Sequence, residues 1–208
     1  DIDGLYMPQF YDVRYKQNGE VEAITPNNTK ARRTITKVIV KDMDKAFFPE
    51  KQLVPFIEVV HDRVTLELFR GCIRGCRFCQ AGFIYRPVRE KKAETLLKQA
   101  ESLVKSSGHE EISLTSLATS DYTCFEALAD GLLEKFKGKE INLSLPSLRV
   151  DSFSLELMKR IQEVRKSSLT FAAEAGTQRL RDVINKNISE DDILNGCALA
   201  FEGGWLKV

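Results

Sequence analysis

The chain has 208 residues, with 31 Lys plus Arg against 30 Asp plus Glu and 2 His, a formal net charge of +1. Hydrophobic residues at 43% and charged residues at 29% are ordinary globular values that exclude a disordered chain, and the even charge balance removes the electrostatic case for a dedicated nucleic-acid or membrane-surface binder. No run approaches the roughly 18 consecutive apolar residues of a membrane span and no signal peptide opens the chain, so a cytoplasmic protein is expected.

Residues 1–62 read as a small β-rich lead-in. Two short runs of β character, 10–15 and 20–24, flank Lys16-Gln17-Asn18-Gly19, and Asn-Gly between such runs is a hairpin signal because both residues tolerate φ > 0. The β-branched run 34–41 predicts a third strand. Phe47-Phe48-Pro49 and Val54-Pro55 mark irregular connections. His61 reads as a local structural residue.

From residue 63 the pattern alternates strand and helix. A strand over 64–69 precedes a loop rich in Cys and Arg, and Leu96, Leu97, Ala100, Leu103 and Val104 then share one helical face that ends at Gly108. A strand over 112–117 leads to a helix burying Phe125, Leu128, Ala129, Leu132, Leu133 and Phe136, with Asp121 as its N-cap and Gly138 past its end. The strand 141–145 stops at Pro146, and a helix with Leu155, Met158 and Ile161 inward follows. A fourth strand is expected over 169–173 and helical turns after Thr177. A helix from Ser189 would carry Ile193, Leu194, Cys197 and Phe201, and a fifth strand would open at 205–208. Such alternation implies right-handed βαβ units and a parallel sheet. A complete eight-unit barrel takes about 250 residues, so 63–208 holds four to five units. The expected class is α/β, a partial TIM-like (β/α) barrel or open sheet of about five parallel strands. Position 1 is Asp rather than Met and Val208 falls within an expected strand, so the chain reads as part of a longer one.

Chemistry concentrates in Gly71-Cys72-Ile73-Arg74-Gly75-Cys76-Arg77-Phe78-Cys79-Gln80-Ala81-Gly82, at the carboxyl end of the first strand. Five cysteines, three of them within eight residues, make a poor disulfide framework and a good soft-metal loop in a reducing compartment. Structural zinc takes four protein ligands, and no other Cys or His lies close in sequence. Three ligands on a four-iron cluster leave one iron open, which points to chemistry. The rival readings are an iron–sulfur electron carrier, which needs a fourth protein ligand, and a non-enzymatic zinc-binding module. Cys124 and Cys197 read as buried small hydrophobes. Arg70, Arg74, Arg77, Arg86, Arg89, Lys91 and Lys92 against Glu90 read as a solvated face with local acid partners rather than an anionic pocket.

The three-cysteine spacing, with Phe78 just before the last cysteine, resembles the radical S-adenosylmethionine (radical SAM) superfamily. The flanks Val60-His61-Asp62-Arg63-Val64, Arg70-Gly71-Cys72 and residues 80–89 are similar to an uncharacterised bacterial subfamily with a cobalamin-binding-like domain upstream and a domain of unknown function downstream. The likeness spans the lead-in and the partial barrel. It implies a 4Fe–4S cluster on Cys72, Cys76 and Cys79 whose free iron chelates SAM, with Phe78 near the adenine. It also implies reductive cleavage of SAM to a 5′-deoxyadenosyl radical, an electron donor of flavodoxin or ferredoxin type, and possible cobalamin dependence of the full-length protein. The substrate is left unassigned, RNA among the candidates.

SAM contacts are expected at the carboxyl ends of the other strands. Thr115-Ser116-Leu117-Ala118-Thr119-Ser120 stands where family members often carry Gly-Gly-Glu, so backbone near Ser116 is the expected substitute. Ser147 and Arg149 suit a carboxylate or ribose; Arg149 has Asp151 and Asp182 as alternative partners. Glu174 in Glu174-Ala175-Gly176-Thr177 resembles the ribose-contacting position of related enzymes. The glycine-rich SAM motif would fall at or beyond Val208. A partial barrel also exposes a sheet edge, which invites self-association.

Overall fold

The computed structural model describes residues 2–146, 148–152, 154–161 and 169–208, and the chain divides into two compact units, Asp1–Lys41 and Asp42–Val208. In the first, β1 (Tyr11–Tyr15) and β2 (Val21–Pro26) form an antiparallel hairpin with an irregularity between Arg14 and Tyr15. The turn forms as Asn-Gly predicts. Gly19 adopts a left-handed φ of +84°, and its N–H donates to the Lys16 carbonyl at 3.0 Å. The run 34–41 is not a strand. β propensity measures fit to a neighbouring pleated surface, and the run contributes to none of the three sheets formed by the described residues.

The boundary lies at 41/42 rather than at 62/63, because residues 42–62 are tied to the second unit. Met43 is buried, the Asp44 carboxylate accepts the Lys92 N–H at 2.8 Å, and the Glu50 carbonyl accepts the Ser106 hydroxyl at 3.0 Å.

The second unit runs β3 (Val64–Glu67), β4 (Phe69–Arg70), α1 (Ala81–Ile84), β5 (Arg89–Glu90), α2 (Ala93–Ser107), β6 (Glu111–Thr115), α3 (Phe125–Lys135), β7 (Asn142–Ser144), α4 (Leu155–Ile161), α5 (Gln178–Val183) and α6 (Glu190–Glu202). Strands β3, β6 and β7 form a parallel sheet in that order, registered Val64↔Ile112 and Ile112↔Leu143. β4 and β5 pair antiparallel across the base of the cysteine loop. Alternation along β3 puts Val64 and Leu66 in the core beneath the helices, with Thr65 and Glu67 on the opposite face. α2 packs on β3 and α3; its Leu96, Ala100 and Leu103, spaced for one helical face, are all buried. It ends at Gly108, left-handed at φ +76°, whose N–H caps the Val104 carbonyl.

Three parallel strands stand among the described residues where the alternation predicts about five. Neither 169–173 nor 205–208 enters a ladder. A parallel strand needs a registered neighbour, and β7 offers only Asn142–Ser144 before Pro146, which has no N–H to give. Leu169 and Trp205 nevertheless pack together with Met158 and Ala200 in a second core cluster.

Two helices differ in detail from expectation. Asp121 does not cap α3, which begins after Cys124; both carboxylate oxygens are engaged by the Arg74 guanidinium instead, a bidentate pair between two charged groups. On α6, Leu194 and Phe201 are exposed while Gly196 and Ala200 face inward. The small face wins because the helix lies against Val150: a Cβ at Gly196 would stand 2.3 Å from a Val150 methyl.

α6 opens with a full capping box. The Asp192 N–H donates to the Ser189 hydroxyl at 3.0 Å and the Ser189 N–H to the Asp192 carboxylate at 2.8 Å. Hydrogen bonding to the carboxylate from the Ser189 side chain, and then from its backbone N–H, holds the Asp192 carboxyl below its ordinary value. Ser189→Ala is expected to cost ~1 kcal/mol and to lower the thermal midpoint by about 2–4 °C, read by circular dichroism; an unchanged midpoint would contradict the cap's role.

Candidate functional site

The loop between β4 and α1 carries Cys72, Cys76 and Cys79, all free and half-buried. Its entrance depends on Gly71, left-handed at φ +101°. A Cβ there would meet the Tyr85 and Pro87 carbonyl oxygens and the Val88 Cα at 2.9 Å each, so the loop crosses the 85–88 backbone where only glycine fits. The Cys79 N–H donates to the Cys76 carbonyl at 3.1 Å, turning the loop into α1. Gly82 on α1 faces the Arg74 carbonyl, which a Cβ would approach to 2.6 Å.

The three cysteines, with Phe78 and Arg74, line one side of a cavity of about 330 Å³ at the carboxyl ends of the parallel strands. Leu117 and Ala118 come from the end of β6, Pro146, Leu148 and Arg149 from the end of β7, and Glu174, Lys186 and Ile188 from the segment around α5. Arg74 is held by Asp121, its Nε donating at 2.8 Å, with Asp151 at 3.9 Å. Donating to the Asp121 carboxylate raises the Arg74 pKa further. Arg149 pairs with Asp151 at 2.9–3.3 Å and donates to the Lys186 and Asn187 carbonyls at 3.3 and 3.4 Å. The Lys186 ammonium reaches the Glu174 carboxylate at 3.1 Å. Each charged group on the wall thus has an internal partner.

Of the residues singled out in the sequence, Cys72, Cys76, Cys79, Phe78, Arg149 and Glu174 meet at this cavity. Ser116 does not line it: its hydroxyl shares a hydrogen bond of 3.0 Å with Thr119, which is buried, and Leu117 and Ala118 take the wall position. Ser147 lies outside the described residues. Cys124 is exposed and Cys197 half-buried, so neither is the buried hydrophobe expected. Arg70 pairs with Glu67 at 2.7 Å, and His61 meets the Arg63 guanidinium at 2.6 Å, both local roles. Arg74, read in the sequence only as one of a basic run with acid partners, stands on the wall and pairs with Asp121, and Lys186 is the charged wall residue that sequence reasoning missed. For Lys186 a signal existed, since it stands between Asn185 and Asn187, residues that tolerate left-handed backbone.

Among the described residues no three His, Cys, Asp or Glu side chains are grouped to hold a single metal ion. A larger cavity of about 1000 Å³ opens at the amino ends of the strands, lined by Asp62, Arg63, His109, Glu111 and Asn142 without a cysteine. No helix among the described residues is long and apolar enough to cross a membrane.

The family model described as the radical SAM superfamily matches residues 66–207. The chain is similar to an uncharacterised protein of Methanocaldococcus jannaschii, 34% identical over 83% of this chain and 39% of that protein. It is similar also to a putative methylthiotransferase of the same organism, 26% identical over 68% of this chain and 33% of the relative. A third relative is the ribosomal protein uS12 methylthiotransferase RimO of Prochlorococcus marinus, 26% identical over 58% of this chain and 28% of the relative. The chain therefore spans well under half the length of each. With the cysteine loop at the carboxyl ends of a parallel sheet and the match running from β3 to beyond α6, the chain belongs to the radical SAM superfamily.

Proposed function

We propose that Cys72, Cys76 and Cys79 hold a 4Fe–4S cluster and that the adjoining wall binds SAM, making the chain the cofactor-binding part of a radical SAM enzyme. The observation that carries this reading is one cavity lined both by the three free thiols and by Arg149, Glu174 and Lys186.

The donor set fits the group. Iron–sulfur clusters take thiolate ligands, and a cubane places each thiolate on its own iron, so the three thiols of this cavity need not converge on one ion. Among the described residues the wall offers no fourth cysteine and no histidine, which favours an open iron over the electron carrier or the zinc module. A volume of about 330 Å³ lies within the 300–1,000 Å³ range of small-molecule sites. Lys186 and Arg149 supply cations for the methionine carboxylate, Glu174 accepts from ribose hydroxyls, and Phe78, Leu117 and Leu148 give apolar surface for adenine. A 4Fe–4S cluster held by Cys72, Cys76 and Cys79 would supply the one-electron chemistry for reductive cleavage of SAM, with methionine as the leaving group. A flavodoxin- or ferredoxin-like protein serves as the electron source. Two of the relatives are named methylthiotransferases; group transfers of that kind, including modification of RNA, share this opening step.

The test is anaerobic reconstitution with iron and sulfide, followed by dithionite reduction with SAM and chromatographic detection of 5′-deoxyadenosine. Release of 5′-deoxyadenosine is expected. Preferential uptake of zinc over iron and sulfide, or a loaded chain that forms none, would defeat the reading.

A further inference from the structure

The segment from Glu174 to Ile188 does more than complete the cavity wall. Glu174, Asn185 and Asn187 have left-handed φ of +67°, +54° and +53°, three of the four non-glycine residues with positive φ among those described. Backbone of this kind persists only where surrounding contacts impose it. Here the imposing contacts are visible. Arg181, 2% exposed, donates to the Ala175 and Gly176 carbonyls at 3.1 Å and to the Ile188 carbonyl at 2.9 Å. It thereby ties the start of the segment to its end. The two left-handed asparagines bracket Lys186, whose ammonium meets Glu174 at the cavity.

The same segment grips the cysteine loop. The Asn185 side-chain amide donates to the Gly75 carbonyl at 2.8 Å. The Arg77 N–H donates to the Ile184 carbonyl at 2.9 Å, and the Arg77 guanidinium donates to the Val183 carbonyl. Gly75 immediately precedes Cys76, and Arg77 immediately follows it, so the middle cysteine is pinned on both sides by residues 183–185. A Cβ on Gly75 would stand 3.1 Å from the Asn185 amide nitrogen, so the contact is close as well as polar.

We propose that Asn185 is a positioning residue for the cysteine loop, fixing Cys76 against the segment that presents Glu174 and Lys186. The hydrogen bond makes one rigid unit of the thiol wall and the charged wall of the cavity. The positioning role stands on these contacts alone; only its consequence for iron rests on the proposed function.

The test uses the full chain with Asn185→Gly, which keeps left-handed backbone but removes the amide, and Asn185→Asp, which keeps the shape but removes the donor. Hydrogen exchange on the metal-free chains reads the loop directly, because the Arg77 N–H is bonded to the Ile184 carbonyl and the Cys79 N–H to the Cys76 carbonyl. Exchange over residues 75–79 is expected to quicken about fivefold in both variants, the equivalent of one hydrogen bond of ~1 kcal/mol. Exchange in β3 and β6 should stay unchanged. Ser106→Ala, which removes a hydroxyl bond to the Glu50 carbonyl near the end of α2, should leave residues 75–79 at their original rate. After reconstitution, iron loss to a chelator is expected to quicken about tenfold or more, as for other groups that orient metal ligands. Unaltered exchange at 75–79 in either variant, or equal acceleration throughout Asp42–Val208, overturns the positioning role. A loop that loosens as expected in a chain that takes up no iron leaves the positioning role intact and defeats the cluster assignment instead.

Discussion

Cys76→Ala is expected to strip the chain of its iron. After anaerobic reconstitution, iron and sulfide per chain should fall about tenfold or more, since even groups that only orient a metal ligand are worth 10–100-fold. The fold should survive the change, because Cys76 is half-buried and outside the core clusters. Cys124→Ala is the matched control. That thiol is exposed at the start of α3, away from the three-cysteine loop, and its removal should leave iron content unchanged. Equal iron in Cys76→Ala and the unsubstituted chain would refute the ligand assignment; loss in Cys124→Ala would show a fourth ligand and revive the electron carrier.

The second large effect is a reversal of sign. Gly→Ala within a helix ordinarily stabilises by about 0.5–1 kcal/mol, because glycine loses more backbone freedom on folding. Gly82→Ala is expected to destabilise instead. Its Cβ would stand 2.6 Å from the Arg74 carbonyl oxygen, a backbone atom that cannot swing aside as a side chain does. Overpacking of this kind costs about 1–3 kcal/mol, a fall in thermal midpoint of roughly 2–12 °C for a unit of this size. The shift should also move Arg74, and with it the Asp121 pair on the cavity wall. A midpoint at or above that of the unsubstituted chain would show that the Arg74 backbone yields to the added methyl and would refute the expected overpacking.

Legibility in the sequence followed how local the determining physics is. The hairpin at Asn18-Gly19, the faces of α2 and α3 and the caps at Gly108 and Ser189 were readable because a few neighbouring residues decide them. So was the cysteine loop, whose three thiols fall within eight residues. The run 34–41 misled because β-branched composition reports suitability for a sheet, whereas a strand also requires a neighbour that sequence alone does not supply. The α6 face misled for a related reason: Leu194 and Phe201 have the apolar bulk expected inside, but close approach to Val150 selects Gly196 and Ala200. Asp121 had two competing uses, and the guanidinium that claims it lies 47 positions earlier. Lys186 stayed hidden because its place at the cavity depends on the left-handed asparagines beside it and on the buried Arg181 staple.

The bond between Asn185 and Gly75 joins positions 110 apart along the chain, whereas the thiols it steadies are near neighbours. At synthesis speeds of about 5–20 residues per second, roughly 5–20 s elapse between the emergence of the two partners. During that interval the nascent polypeptide displays all three sulfurs without their later support. Any cellular delivery of iron to this loop therefore faces a temporal choice: an early, loosely held acceptor before Asn185 has emerged, or a late, rigid one once it has.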